Sequence, residues 1–222
     1  MTKPLKLSPS SLNLFKDCPL CFWMQFNKGI KHPSTIFPSL PSGMDRILKN
    51  HFDSYRERKL LPPELKQLDG DTHLFEKMDL LTAWRNNLKG IKYIDEEVGA
   101  TLRGAIDEML INGKKLIVLD FKTRGFPLKE DTHDYYQDQL DIYSYLLEKN
   151  GFETEDYAYL LFFHPECVNG DGSVKFISNL VKMKTNPSNA EKLFRDAVEC
   201  LQGEMPSASD DCGHCGYVKE RG

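Results

Sequence analysis

Apolar residues along this chain repeat at two different periods, and the change between them predicts its elements. From about Pro9 to Asn27, the apolar positions Phe15, Phe22 and Phe26 keep helical spacing behind the serines at 8, 10 and 11, any of which can cap a helix start. Pro19 falls inside this stretch and predicts an interruption or bend. The proline-studded segment 32–43 reads as a loop. After Gly43, Met44, Ile47, Leu48 and Phe52 share one face of a second helix. Residues 62–71 read as a turn region, and 73–90 as a shorter helix ending at Gly90.

From Ile91 onward the period drops to two, and residues 91–123 read as two or three strands, the last two joined across Asn112-Gly113, a strong hairpin signal. A helix over Asp134 to Lys149 follows, then strands over 157–164 and 174–184 separated by the turn-rich 168–173. Residues 189–204 form a closing helix, and 206–222 a short tail. The order predicts an α/β fold, a mixed central β-sheet flanked by helices, rather than a doubly wound parallel sheet. Its 222 residues suffice for one domain, 1–222, with a real core.

Composition narrows the class only a little. Apolar residues at 40% and charged ones at 28% fit a globular chain. No apolar run reaches the ~20 residues of a spanning helix, and the first residues lack the apolar stretch of a signal peptide, so a cytoplasmic location is expected. A net charge of −4 gives no general attraction to nucleic acid, so such a partner would need a local basic surface. Six cysteines in a cytosolic chain favour thiols or metal ligands over disulfides.

The hairpin is where chemistry concentrates. Asp107 lies six residues before Gly113 and Asp120 seven after it, which sets the two acids close to opposite one another. Alternation puts Asp120 and Lys122 on one face and turns Phe121 away. Two converging carboxylates repel unless a cation lies between them, and hard oxygen ligands suit Mg²⁺ or Mn²⁺. With Lys122 beside them to neutralise charge developing on phosphorus, the set describes metal-assisted phosphodiester hydrolysis. Glu97, or its neighbour Glu96, would add a third carboxylate. Cys18-x-x-Cys21 and Cys212-x-x-Cys215 are two soft-ligand pairs that form one site only if the two ends of the fold meet, holding either zinc or an iron–sulfur cluster.

In order along the chain, Gly104-x-x-Asp107, the strand ending Asp120-x-Lys122-Thr123, and Gln139-x-x-x-Tyr143 resemble the PD-(D/E)XK nuclease superfamily, in particular its RecB-like branch with the CRISPR-associated exonucleases. The Ser-rich helix start before Cys18-Pro19 is similar to that branch as well. The resemblance implies a restriction-endonuclease-like core, Asp107 and Asp120 as metal ligands with the Phe121 carbonyl, Lys122 as the catalytic lysine, and Gln139 and Tyr143 on one helical face toward the site. It implies DNA, as single strands or duplex ends, as substrate, and a helicase or integrase as a possible protein partner. The branch's upstream histidine follows a glycine by four residues, where this chain has Ile47; His51, one turn later, is the candidate replacement. By the same resemblance the cysteines would hold a four-iron four-sulfur cluster. Its third C-terminal cysteine would fall at Arg221, so Cys21 would supply the missing ligand, with a zinc site as the alternative. Arg103, Arg124 and Lys129 are candidate phosphate contacts, and Tyr135, Tyr136 and Tyr143 candidate base-stacking rings. The competing expectation is a non-catalytic nucleic-acid or protein-binding module that keeps the fold and a structural zinc.

Overall fold

The computed structural model describes residues 5–31, 38–68 and 70–221. A short strand β1 (Leu5–Leu7) leads into α1 (Pro9–Asp17), α2 (Pro19–Trp23) and a π-helical turn over Met24–Lys28. Ser8 starts α1 with a reciprocal cap: its hydroxyl accepts the Ser11 N–H, and its own N–H donates to the Ser11 hydroxyl. The expected interruption falls at Cys18, whose extended backbone ends α1 and starts α2, with Pro19 at the first helical position. Then come α3 (Ser39–Glu57), a 3₁₀ turn (Pro63–Leu65), β2 (Thr72–Leu74), α4 (Met78–Arg85), β3 (Ile91–Asp95), β4 (Ala100–Gly104), β5 (Glu108–Asn112) and β6 (Lys115–Thr123). The chain continues through a 3₁₀ turn (Asp134–Tyr136), α5 (Gln137–Lys149), β7 (Tyr157–Val168), β8 (Val174–Lys184), α6 (Pro187–Gln202) and α7 (Gly213–Arg221).

This is the mixed α/β architecture expected, with the sheet in two parts among the described residues. β1, β4 and β3 form one, and β2, β5, β6, β7 and β8 the other, in those spatial orders. β6 and β7 are parallel and joined by the α5 crossover, while β5–β6 and β7–β8 are antiparallel hairpins. The turn centre is Gly113-Lys114, one residue later than the expected Asn112-Gly113, because Asn112 still pairs with Lys115 on the ladder; Gly113 takes the positive φ of 58° that the tight turn requires.

Side chains of β6 divide by parity between two cores. Leu116 and Val118 join Met109, Leu160, Phe162 and the helices α5 and α6 on one face. On the other, Ile117, Leu119 and Phe121 pack with Leu110 and Leu161 against Leu48 and Phe52 of α3. α5 is buried nearly all round, from Leu140 to Leu147. Its interior position explains why Asp120, on the α5 face of β6, is also deeply buried.

Several elements depart from expectation. α3 begins at Ser39, so 39–43 is helix rather than loop; Pro41 is tolerated there because the first turn has no intrahelical donor role to lose. The remaining part of that loop expectation, 32–37, lies outside the described residues. The helix expected over 73–90 divides into β2, an edge strand on β5, and an α4 that stops at Arg85. There Asn86 ends the helix and its side chain accepts the N–H groups of Leu88 and Lys89. Residues 91–123 make four strands, and Glu96 and Glu97 lie in the turn between β3 and β4 rather than on a strand. The tail contains α7, and β1, unforeseen, pairs in parallel with β4. No described helix is long and apolar enough to cross a membrane.

Beneath the hairpin lies a buried ion network. Glu108 is fully buried and receives Arg56 of α3 on one carboxylate oxygen and Arg85 of α4 on the other, the latter at 2.8 Å. Both guanidinium groups also meet Asp53, and Arg56 donates to the Phe75 carbonyl at 2.7 Å. Removing one member leaves buried charge unpaired, which costs ~3–5 kcal/mol. Glu108→Ala is therefore expected to lower stability by about that amount in denaturant unfolding, more than truncation of the exposed Glu96 would.

Candidate active site

The β5–β6 register sets Glu108 opposite Leu119, and carried one residue further it sets Asp107 opposite Asp120. The Phe121 N–H donates to Asp107 Oδ2 at 3.2 Å, so the first acid is tied to the strand that bears the second. From below, Arg85 Nε donates to the Asp107 carbonyl at 2.9 Å, which couples the acid's backbone to the buried ion network. Asp120 is about 1% exposed, and Lys122 Nζ lies 2.5 Å from its Oδ2.

α5 completes the arrangement. One Gln139 amide donates both to Asp120 Oδ1 at 3.1 Å and to the Tyr143 hydroxyl at 2.8 Å, and its carbonyl accepts from Lys122 Nζ at 2.9 Å. The four-residue spacing thus puts both side chains of the α5 pair beside Asp120. Lys122 also lies over the Tyr136 ring at 4.4 Å. Tyr143 is buried and cannot stack on a base, contrary to expectation. Its ring lies against Gly104, where an added Cβ would come within 2.6 Å of it.

Two expected ligands are not brought here. Glu97 is exposed on its turn and pairs with Arg195 of α6 at 2.9 Å. His51 turns toward Glu64 at 3.2 Å and packs on Phe52 and Tyr55. What α3 delivers instead is Lys49, 3.0 Å from Asp107 Oδ1 and 2.7 Å from Asp45 one turn earlier. The Asp45/Lys49 pair at i,i+4 was the available signal, on the polar edge of the Leu48–Phe52 face. Phe121 turns its ring into the α3 core against Phe52, leaving its backbone beside the acids.

Burial and like charge set the electrostatics. Burial, with the neighbouring charge of Asp107, pushes the Asp120 carboxyl up to about 7 even though Lys122 opposes the shift. Burial and Asp107 likewise raise Asp45. Burial alone would lower Lys49, but Asp107 and Asp45 outweigh it and raise its affinity for a proton. The site is therefore short of positive charge, a deficit a divalent cation on Asp107 and Asp120 would remove.

These residues open into a cleft of about 430 Å³ whose walls include Ser8, Ser10 and Asn13 at the start of α1, and Lys89 and Arg103 beside Gly104. Arg103 was an expected phosphate contact; Lys89 and the start of α1 were not. Lys122, Lys89 and Arg103 bring three positive charges to a lining that also holds Asp107 and Asp120, in a chain of net charge −4.

The second cluster joins the ends of the fold. The Sγ atoms of Cys18, Cys21, Cys212 and Cys215 all lie within 4.8 Å of one another. Burial pushes Cys18 up, but hydrogen bonds from the backbone of Cys21 and Ser209 outweigh it and bring its thiol down to about 7. Burial and the neighbouring thiols push Cys21 up. Four sulfur donors converging this closely fit a bound cation. Of the other cysteines, Cys200 packs at the core margin, whereas Cys167 is exposed on β7.

A family model described as the PD-(D/E)XK nuclease superfamily matches residues 37–219. The chain belongs to that superfamily. Among solved structures, one titled "Crystal structure of SSO0001" is similar over 92% of this nuclease-superfamily chain and 80% of its own, at 14% identity and a TM-score of 0.44. Curated proteins return no match.

The raised Asp120 pKa has a sign that can be measured. An unfolded aspartate releases its proton near ~4 and the folded one near 7, so between these values the folded chain holds a proton the unfolded chain has lost. Stability of the metal-free protein is expected to be highest at the acid end of this window for this group and to fall as pH rises to about 7. Thermal unfolding against pH checks this, and Asp120→Asn should flatten the slope.

Proposed function

We propose that this chain is a divalent-metal-dependent deoxyribonuclease hydrolysing phosphodiester bonds, acting as an exonuclease on single-stranded or frayed DNA ends. The observation that carries the reading is the pairing of Asp107 with a buried, charge-disfavoured Asp120 beside Lys122, since Asp120-Phe121-Lys122 reads as the (D/E)XK of the superfamily's name. Asp107, Asp120 and the backbone of Phe121 would hold Mg²⁺ or Mn²⁺, which when bound supplies positive charge to the scissile phosphate. Lys122 donates toward the phosphate oxygens and relieves charge as it develops in the transition state. Gln139 holds Lys122 and Asp120 in one orientation, while Tyr143 supports Gln139 from the buried side.

The cleft supports a strand end rather than a continuous duplex. Its volume is that of a small-molecule pocket, and α1 walls it. At the start of α1 Pro9 has no N–H and the Ser8 and Ser11 N–H groups are spent in the cap, so that wall offers a phosphate the Ser8 and Ser10 hydroxyls, and Lys89 and Arg103 extend the path along the backbone. Exposed Tyr135 and the neighbouring Tyr136 are placed for stacking on unpaired bases. DNA repair, recombination and CRISPR adaptation, with a helicase or integrase delivering the end, are compatible settings. The cysteine site, with zinc or a cluster bound, would serve as a structural clamp on the fold's two ends.

Labelled single-stranded DNA incubated with Mg²⁺ or Mn²⁺ should be degraded by the wild-type protein. Asp120→Ala and Lys122→Ala should each lower the rate by on the order of 10²-fold or more with the fold retained by circular dichroism. A wild-type protein that binds DNA but cleaves with neither metal would favour the non-catalytic module. A separate expectation follows from packing: Gly104→Ala must displace Tyr143 and should cost ~1–3 kcal/mol in stability while slowing cleavage through Gln139.

A further inference from the structure

The cysteine cluster says more about its occupant than the spacing of the pairs did. Cys21 Sγ lies 3.3 Å from Cys215 Sγ and 3.7 Å from Cys212 Sγ, and Cys18 Sγ lies 3.8 Å from Cys215 Sγ. A tetrahedral zinc bound to four thiolates at ~2.3 Å places neighbouring sulfurs ~3.8 Å apart. In a four-iron cluster each thiolate binds a different iron, so every pair of thiolates is separated by two iron–sulfur bonds and an iron–iron edge. That demands a far wider array than four sulfurs all within 4.8 Å.

We infer that Cys18, Cys21, Cys212 and Cys215 together bind one tetrahedral zinc-class ion, and that a four-iron four-sulfur cluster does not fit between them. Two thiolates come from the α1–α2 corner and two from the start of α7, so neither pair makes a closed site alone. The ligand set is all sulfur, which favours zinc over harder divalent ions and leaves the carboxylate pair as the separate site for Mg²⁺ or Mn²⁺. With no open position left on the ion, its role is structural.

The placement also connects the ion to the cleft. Cys18 ends α1, and the opposite end of the same short helix carries Ser8 and Ser10 into the cleft wall. Fixing Cys18 against α7 therefore fixes the base of that wall. This second step rests on the nuclease reading; the identity of the ion does not.

Metal analysis of the full chain purified without chelator tests the inference directly. One zinc per chain, negligible iron and labile sulfide, and, after exchange with Co²⁺, the visible bands of a tetrahedral four-thiolate site are expected. Stoichiometric iron and sulfide with the broad visible absorbance of a cluster would overturn it, and so would a folded protein that takes up neither zinc nor cobalt. Cys212→Ser should lose the tetrahedral Co²⁺ spectrum. If that variant fails to fold, strong chelation of the wild-type protein should lower its melting temperature and zinc alone should restore it. Cys167→Ser, outside the cluster, should change neither. Asp120→Ala should keep the zinc while losing cleavage, so an inert wild-type protein with one zinc counts against the nuclease reading alone. Iron in an active protein counts against this inference alone. In an active protein, partial zinc removal should raise KM for single-stranded DNA several-fold with less effect on kcat.

Discussion

A carboxylate buried beside another carboxylate is the constraint to which the centre of this molecule answers. Asp120 has almost no contact with water, and Asp107 stands opposite it across a two-residue hairpin. In a low-dielectric interior such a pair is tolerated only when cations and donors converge on it. Lys122 and Lys49 supply charge, and the Phe121 N–H and the Gln139 amide supply directed hydrogen bonds. Phe121 and Lys122 come from β6, Lys49 from α3 and Gln139 from α5, so these three elements are held in mutual position by the groups that stabilise the acids.

Strand alternation separates function from anchorage within two consecutive residues. Asp107 faces the cleft, whereas Glu108 turns to the opposite face and enters the network of Arg56, Arg85 and Asp53. Because Arg85 bonds both Glu108 and the Asp107 carbonyl, the network below the sheet determines where the cleft-facing Asp107 can sit. Buried ion pairs add little net stability, but their geometry is specific.

The hairpin and its acids were legible because both rest on local rules. A turn dipeptide and a period of two are enough to oppose Asp107 and Asp120, and a four-residue helical spacing is enough to join Gln139 to Tyr143. The parts that were misread depend on contacts distant in sequence. Residues 73–90 carry a helical apolar pattern, yet Thr72–Leu74 gains a ladder on β5 that outweighs local propensity. Glu97 reads as a strand residue only if β3 continues past Asp95, and it does not. His51 and Lys49 differ by two positions on one helix, and nothing local distinguishes which faces Asp107, because that rotation is set by Leu48 and Phe52 seating on β6. The cysteine pairs announced soft-ligand chemistry, but the distances among their sulfurs exist only once the ends have met.

That meeting of ends changes how the fold would carry load. With the four thiolates joined through an ion, tension applied between the first and last described residues would pass from α1 to α7 through metal–sulfur bonds. Everything between Cys21 and Cys212 would be bypassed. β1 and α1 lie outside that closed ring, so they would peel away first, stripping one wall from the cleft while the sheet bearing the acids stayed intact.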